Sequence, residues 1–147
     1  MSFTLTSSAY AQGTEIPVDH TCDGADQLPP FSWSGTPDGT AELALVMDDP
    51  DARGFVHWIV TGIPPDATSI GPGSLPAGAR EGRNDFGRTG YGGPCPPSGT
   101  HRYVATLYAL SEPLNLGGAP TAAELHSASS GKVVGDARLE ARYTRQR

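Results

Sequence analysis

Basic residues are scarce in this chain: ten Lys and Arg stand against sixteen Asp and Glu, a formal net charge of −6. Nucleic-acid binding needs a basic face to neutralise phosphate, so no nucleic-acid partner is expected. Long hydrophobic runs are missing too, and none approaches the roughly 18 apolar residues of a membrane-spanning helix. Ala9-Tyr10-Ala11 has the shape of a signal-peptidase site, but no basic or apolar stretch precedes it. These absences predict no stable membrane insertion and a cytoplasmic chain. Cysteine occurs only as Cys22 and Cys95, without a Cys-x-x-Cys metal spacing. For a cytosolic protein the leading reading is two free thiols. The alternative is a Cys22–Cys95 disulfide, which would close a long loop and stabilise by about 4 kcal/mol in the chain-entropy model.

Glycine and proline are abundant instead, 19 and 14 of 147 residues, while the hydrophobic share of 37% stays in the globular range. That combination predicts many turns between short strands in one domain, residues 1–147. Residues 2–8 alternate, residues 10–30 read as a covering loop, and 31–33 as a brief strand. Residues 41–48 are nearly continuously apolar, as in a strand buried on both faces. In residues 55–63, alternation puts Phe55, His57 and Ile59 on one face and Val56, Trp58 and Val60 on the other. Residues 64–100 form a Gly/Pro-rich excursion, of a length that is either functional or conceals short strands. Residues 101–110 resume the strand pattern, with His101, Tyr103, Ala105 and Leu107 pointing one way. Thr121-Ala122-Ala123-Glu124 is a capping box that opens a helix ending near Ser130. Residues 136–144 close the chain as a strand with Ala137, Leu139, Ala141 and Tyr143 inward. Many strands without strand–helix alternation predict a mainly antiparallel β-sandwich with one or two short helices.

Two stretches carry chemistry. Asp48-Asp49-Pro50-Asp51 ends the buried strand, and on spacing alone it reads equally as an Asx turn or as a site. Gly90-Tyr91-Gly92-Gly93-Pro94-Cys95-Pro96-Pro97-Ser98-Gly99-Thr100 then runs into His101-Arg102-Tyr103. So many glycines and prolines cannot propagate a helix or a ladder, but they hold a fixed loop that can offer backbone N–H groups to an anion. His57 alone is read sooner as a satisfied core or rim residue than as a ligand contact. Two imidazoles, a phenol and two carboxylates beside a shaped loop suit a small oxyanion better than any one of them does. A hydrolase built on Asp and His with Ser98, Thr100 or Cys95 as nucleophile is the weaker alternative, since no Gly-x-Ser-x-Gly elbow is present. A metal held by Asp49, His57 and His101 fits by ligand type only, so neither metal nor cofactor is expected.

These residues resemble the phosphatidylethanolamine-binding protein family, also called the Raf kinase inhibitor family, and especially its compact bacterial and archaeal branch. Its first motif stands here as Asp49-Pro50-Asp51-Ala52-Arg53, with arginine for the last proline, followed by His57-Trp58. Its second is the Gly93-to-Tyr103 loop, and Asn84-Asp85-Phe86-Gly87 also matches the bacterial pattern. The resemblance runs from about residue 5 to residue 143 and implies a Greek-key antiparallel sandwich with an anion pocket at one end. It implies Asp49, His57, His101 and Tyr103 as ligand contacts, with Asp51, Phe55, Pro94, Cys95, Pro96 and Pro97 as the wall. The implied ligand is phosphate or phosphorylethanolamine, bound without catalysis. Homodimerisation, modulation of a kinase or protease, and a protease-inhibitor or other interaction role with the pocket only as docking point are implied more loosely. The longer C-terminal helix of animal members is not expected here.

Overall fold

The computed structural model describes residues 2–145. Among the described residues eight strands form two antiparallel sheets. β1 (Thr4–Thr6), β2 (Phe31–Ser34) and β5 (Ser69–Ile70) make the smaller, in the order β1-β2-β5. β3 (Glu42–Asp49), β4 (Phe55–Ile63), β6 (Arg80–Glu81), β7 (Thr100–Leu110) and β8 (Val133–Thr144) make the larger, in the order β6-β4-β3-β7-β8. The predicted mainly β sandwich is the observed fold. The 64–100 excursion does conceal strands, β5 and β6, each of only two residues.

Apolar spacing explains the layering. Leu5, Phe31, Trp33 and Ile70 of the small sheet pack against Leu43, Leu45, Met47, Trp58 and Leu107 of the large one. Phe31 stacks on Trp58 at 6.0 Å between ring centroids. Burying each such side chain contributes roughly 1.5–3 kcal/mol, so this inter-sheet layer is the main source of stability. The opposite face of the large sheet is also covered: Ala44, Val46, Val56 and Ile59 pack with Leu125. That explains the unbroken apolar run of β3. Leu125 belongs to α1 (Ala122–Ser129), whose capping box forms as expected. Thr121 Oγ1 accepts from the Glu124 N–H at 3.2 Å, and Glu124 Oε1 accepts from the Thr121 N–H at 2.9 Å.

Two expectations are overturned. The cysteines are bonded to each other, Cys22 to Cys95, with Cα atoms 5.4 Å apart; the leading free-thiol reading fails, and the alternative disulfide is the observed state. The alternation of β4 is also broken. Met47 pairs with Trp58, yet the next residue, Asp48, pairs with Val56, which leaves His57 as an extra residue. This β-bulge re-aims the strand. Val56 and Ile59 lie on the helix side, while Trp58 and Val60 lie between the sheets, so the predicted grouping of Val56 with Trp58 does not hold.

Candidate functional site

At one end of the inter-sheet layer the inner face of the large sheet turns polar. Along β3 the inward series Leu43, Leu45, Met47 ends in Asp49. Along β7 the inward series Leu107, Ala105 ends in Tyr103 and His101. The bulge delivers His57 from β4, with Phe55 at the strand's end pairing with Asp49. These five side chains enclose a cavity of about 220 Å³, and Cys95, Pro96 and Pro97 close it from the Gly/Pro loop.

Asp49 is 3% exposed, and both its oxygens are occupied. Oδ1 accepts from the Asp51 N–H at 2.8 Å, capping the 3-10 turn Pro50–Ala52. Oδ2 sits 2.6 Å from His101 Nδ1. A carboxylate can only accept here, so Nδ1 carries the proton, and Nε2 is an acceptor in the neutral ring and a donor in the imidazolium. His57 is fixed in the same tautomer: its Nδ1 donates to the Gly92 carbonyl at 2.7 Å, and the Gly92 N–H returns a bond to the His57 carbonyl at 3.0 Å. Burial lowers the pKa of His57 below the ordinary histidine value, against the raising effects of the Gly92 carbonyl and of Asp49. Burial, then the Asp49 charge, raises that of Tyr103. Tyr103 is therefore a neutral phenol, and its hydroxyl has no hydrogen-bond partner among the described residues.

Of the wall residues expected from the sequence, Phe55, Cys95, Pro96 and Pro97 line the cavity. Asp51 and Pro94 stand outside it. The Asp51 carboxylate is turned to Arg102, taking bonds from its backbone N–H at 2.8 Å and its guanidinium at 3.0 and 3.2 Å. It thereby ties the turn after Asp49 to β7 and sets the spacing of Asp49 and His101. The Pro94 ring is buried, and its carbonyl accepts from the Cys22 N–H at 3.1 Å. Ser98 and Thr100 are exposed, and Cys95 is locked in its disulfide, so none offers a free nucleophile inside the cavity.

Phe86 is the lining residue that sequence reasoning missed. It is 41% exposed and packs edge-on to Phe55 at 4.8 Å and to His57 at 5.5 Å. Its loop is held firmly. Asn84 Oδ1 accepts from the Phe86 and Arg88 N–H groups, Asn84 Nδ2 donates to the Gly90 carbonyl, and Asp85 Oδ2 accepts from the Val56 N–H. A backbone-capping Asn three residues before a glycine is the signal that could have marked this loop as built around one exposed aromatic.

The family model for phosphatidylethanolamine-binding protein matches residues 6–144. A UPF0098 protein of Methanothermobacter thermautotrophicus is 43% identical, the alignment covering 96% of this chain and 98% of the relative. A Mycobacterium tuberculosis protein named a lipoprotein, LppC, is 49% identical over 92% of this chain and 69% of its own length. Among solved structures, Escherichia coli YbcL, described as a member of the mammalian PEBP family, superposes with a TM-score of 0.92 at 30% identity, covering 99% of this chain and all of the other. The chain belongs to the phosphatidylethanolamine-binding protein family.

Proposed function

We propose that the cavity binds a small phosphate-type oxyanion, of the phosphate monoester or phosphorylethanolamine class, without chemical conversion. The observation that carries this reading is the Asp49–His101 pair at 2.6 Å beside His57 and Tyr103 in one cavity. Carboxylates repel phosphate, but both Asp49 oxygens are already hydrogen-bonded within the chain. The bond to Asp49 occupies His101 Nδ1 and leaves Nε2 as the ring nitrogen that meets the ligand, a charge-assisted donor when the ring is protonated. The Tyr103 hydroxyl supplies a second donor. A neutral His57 supplies an acceptor, which a fully ionised phosphate cannot use but a singly protonated one can. A phosphate monoester loses its second proton near pH 6, so both forms exist near neutrality. The exposed Phe86 ring already carries the Arg88 guanidinium, 5.5 Å from its centroid, which adds a cation at the cavity's edge.

Calorimetry with phosphorylethanolamine and with inorganic phosphate tests this. His101→Gln removes the charge-assisted donor and is expected to weaken both by roughly tenfold or more. Tyr103→Phe should weaken both by less. Equal affinities for the wild type and His101→Gln would remove this residue from the site and the reading with it.

A further inference from the structure

Residues 18–27 line no part of the cavity, yet they are joined at four points to the 91–95 stretch of the loop that closes it. The Cys22 N–H donates to the Pro94 carbonyl at 3.1 Å. The Tyr91 hydroxyl donates to the His20 carbonyl at 2.7 Å, and the Gly93 N–H donates to Asp26 Oδ1 at 2.9 Å. The fourth is covalent, Cys22 to Cys95. Cys95 is half-buried and lines the cavity, whereas Cys22 is exposed on the outer side. One end of the disulfide is thus open to a reductant, and the other faces the position assigned to the ligand.

We infer that the Cys22–Cys95 disulfide is a redox latch on the ligand site: the oxidised protein holds the oxyanion, and reduction by a dithiol releases it. This rests on the oxyanion reading above. The step balances as an ordinary exchange. A thiolate of the reductant attacks Cys22 Sγ, the Cys22–Cys95 bond breaks, and Cys95 leaves as a thiolate. The reductant's second thiol resolves the mixed disulfide and frees Cys22. Two electrons and two protons pass from the dithiol, which becomes a disulfide, to the two cysteines. Two consequences oppose ligand binding. Pro96 and Pro97 lose the covalent strut that presets their position, so binding must now order them. A free thiol also enters a cavity that already contains Asp49, and its thiolate form repels an oxyanion.

The test compares three samples by calorimetry with phosphorylethanolamine and inorganic phosphate: oxidised wild type, wild type reduced by dithiothreitol, and the Cys22→Ser/Cys95→Ser double variant. Reduction is expected to weaken binding about tenfold, the cost of a binding surface that is no longer preordered. Reoxidation should restore it in the wild type alone, which separates the latch from misfolding. Amide hydrogen exchange gives a second readout: the Cys22 and Gly93 N–H groups should exchange faster after reduction, while those of β3 and β7 stay protected. Unchanged affinity on reduction overturns the latch. If the oxidised protein binds neither probe, the oxyanion reading fails instead, and the latch is then judged by exchange alone, unchanged protection at Cys22 and Gly93 overturning it.

Discussion

His57 is a buried imidazole whose charged form the fold disfavours, and that has a consequence for stability that can be signed. Its pKa in the folded chain lies below the reference value of 6.5 because burial penalises the cation. The unfolded chain therefore takes up a proton first as pH falls. The contribution of His57 is fully present above pH 6.5 and is lost as acidification proceeds from there towards its lower folded value. Urea unfolding midpoints should drop between about pH 7 and 5 in the wild type and drop less in His57→Gln, which keeps a donor for Gly92 but cannot titrate. A parallel decline in both proteins would show that other groups govern this range. Asp51 acts in a separate window: its bonds from Arg102 hold its carboxyl down to about 2, so its contribution is present above the reference value of 3.8 and fades only below it. As an exposed pair it is screened and weak. Residue types in combination suggested an oxyanion site, and the family resemblance singled out Asp49, His57, His101 and Tyr103 as its contacts. The charge state of His57 was not legible, because its partner Gly92 lies 35 residues away on a loop without periodicity. Phe86 was missed for a related reason: it sits in a turn, where no alternation assigns it a face.

The long strands were legible because each has a buried side that writes a period into the sequence. β4 was placed at Phe55–Ile63, and the inward faces of β7 and β8 were assigned as they stand. The bulge at His57 was not legible, since an inserted residue leaves the composition of a strand unchanged and only shifts which neighbours share a face. β5 and β6 are too short for any period to register. The loop that closes the cavity depends on close approach rather than on a period. Gly93 lies against the 18–27 segment so tightly that an added Cβ would collide with Asp26 Oδ1 and the His20 carbonyl. Gly93→Ala must therefore push the loop off its support and break the Gly93–Asp26 bond. A loss of about 1–3 kcal/mol is expected from overpacking of this kind, together with weaker phosphate binding. Gly117→Ala is the matched control: a Cβ there meets nothing within 4 Å. Thermal melts of the two variants decide the matter, and equal melting temperatures would mean that the Gly93 contact carries no energy.

Across the whole molecule the two-layer architecture followed from pattern, but the pairing of the cysteines did not. They are 73 residues apart, and the assumption of a reducing compartment favoured thiols. The bond encloses β2 to β6 in one covalent loop, so it restricts the unfolded chain over half its length as well as bracing the site. Among the described residues no helix is long and apolar enough to cross a membrane, which leaves the compartment to be argued from the disulfide itself. Disulfides persist where the environment is oxidising, and there the chain would have both its site assembled and its unfolded state constrained. On the chain-entropy model, reduction should cost about 4 kcal/mol. For a chain of this size that lowers the melting temperature by roughly 10 °C. Scanning calorimetry with and without dithiothreitol measures it directly. The effect should be unchanged by His101→Gln, because the constraint acts on the unfolded chain and the ligand contacts do not. A drop of less than about 2 °C would mean that strain or residual structure cancels the loop term, and that the bond serves the site alone.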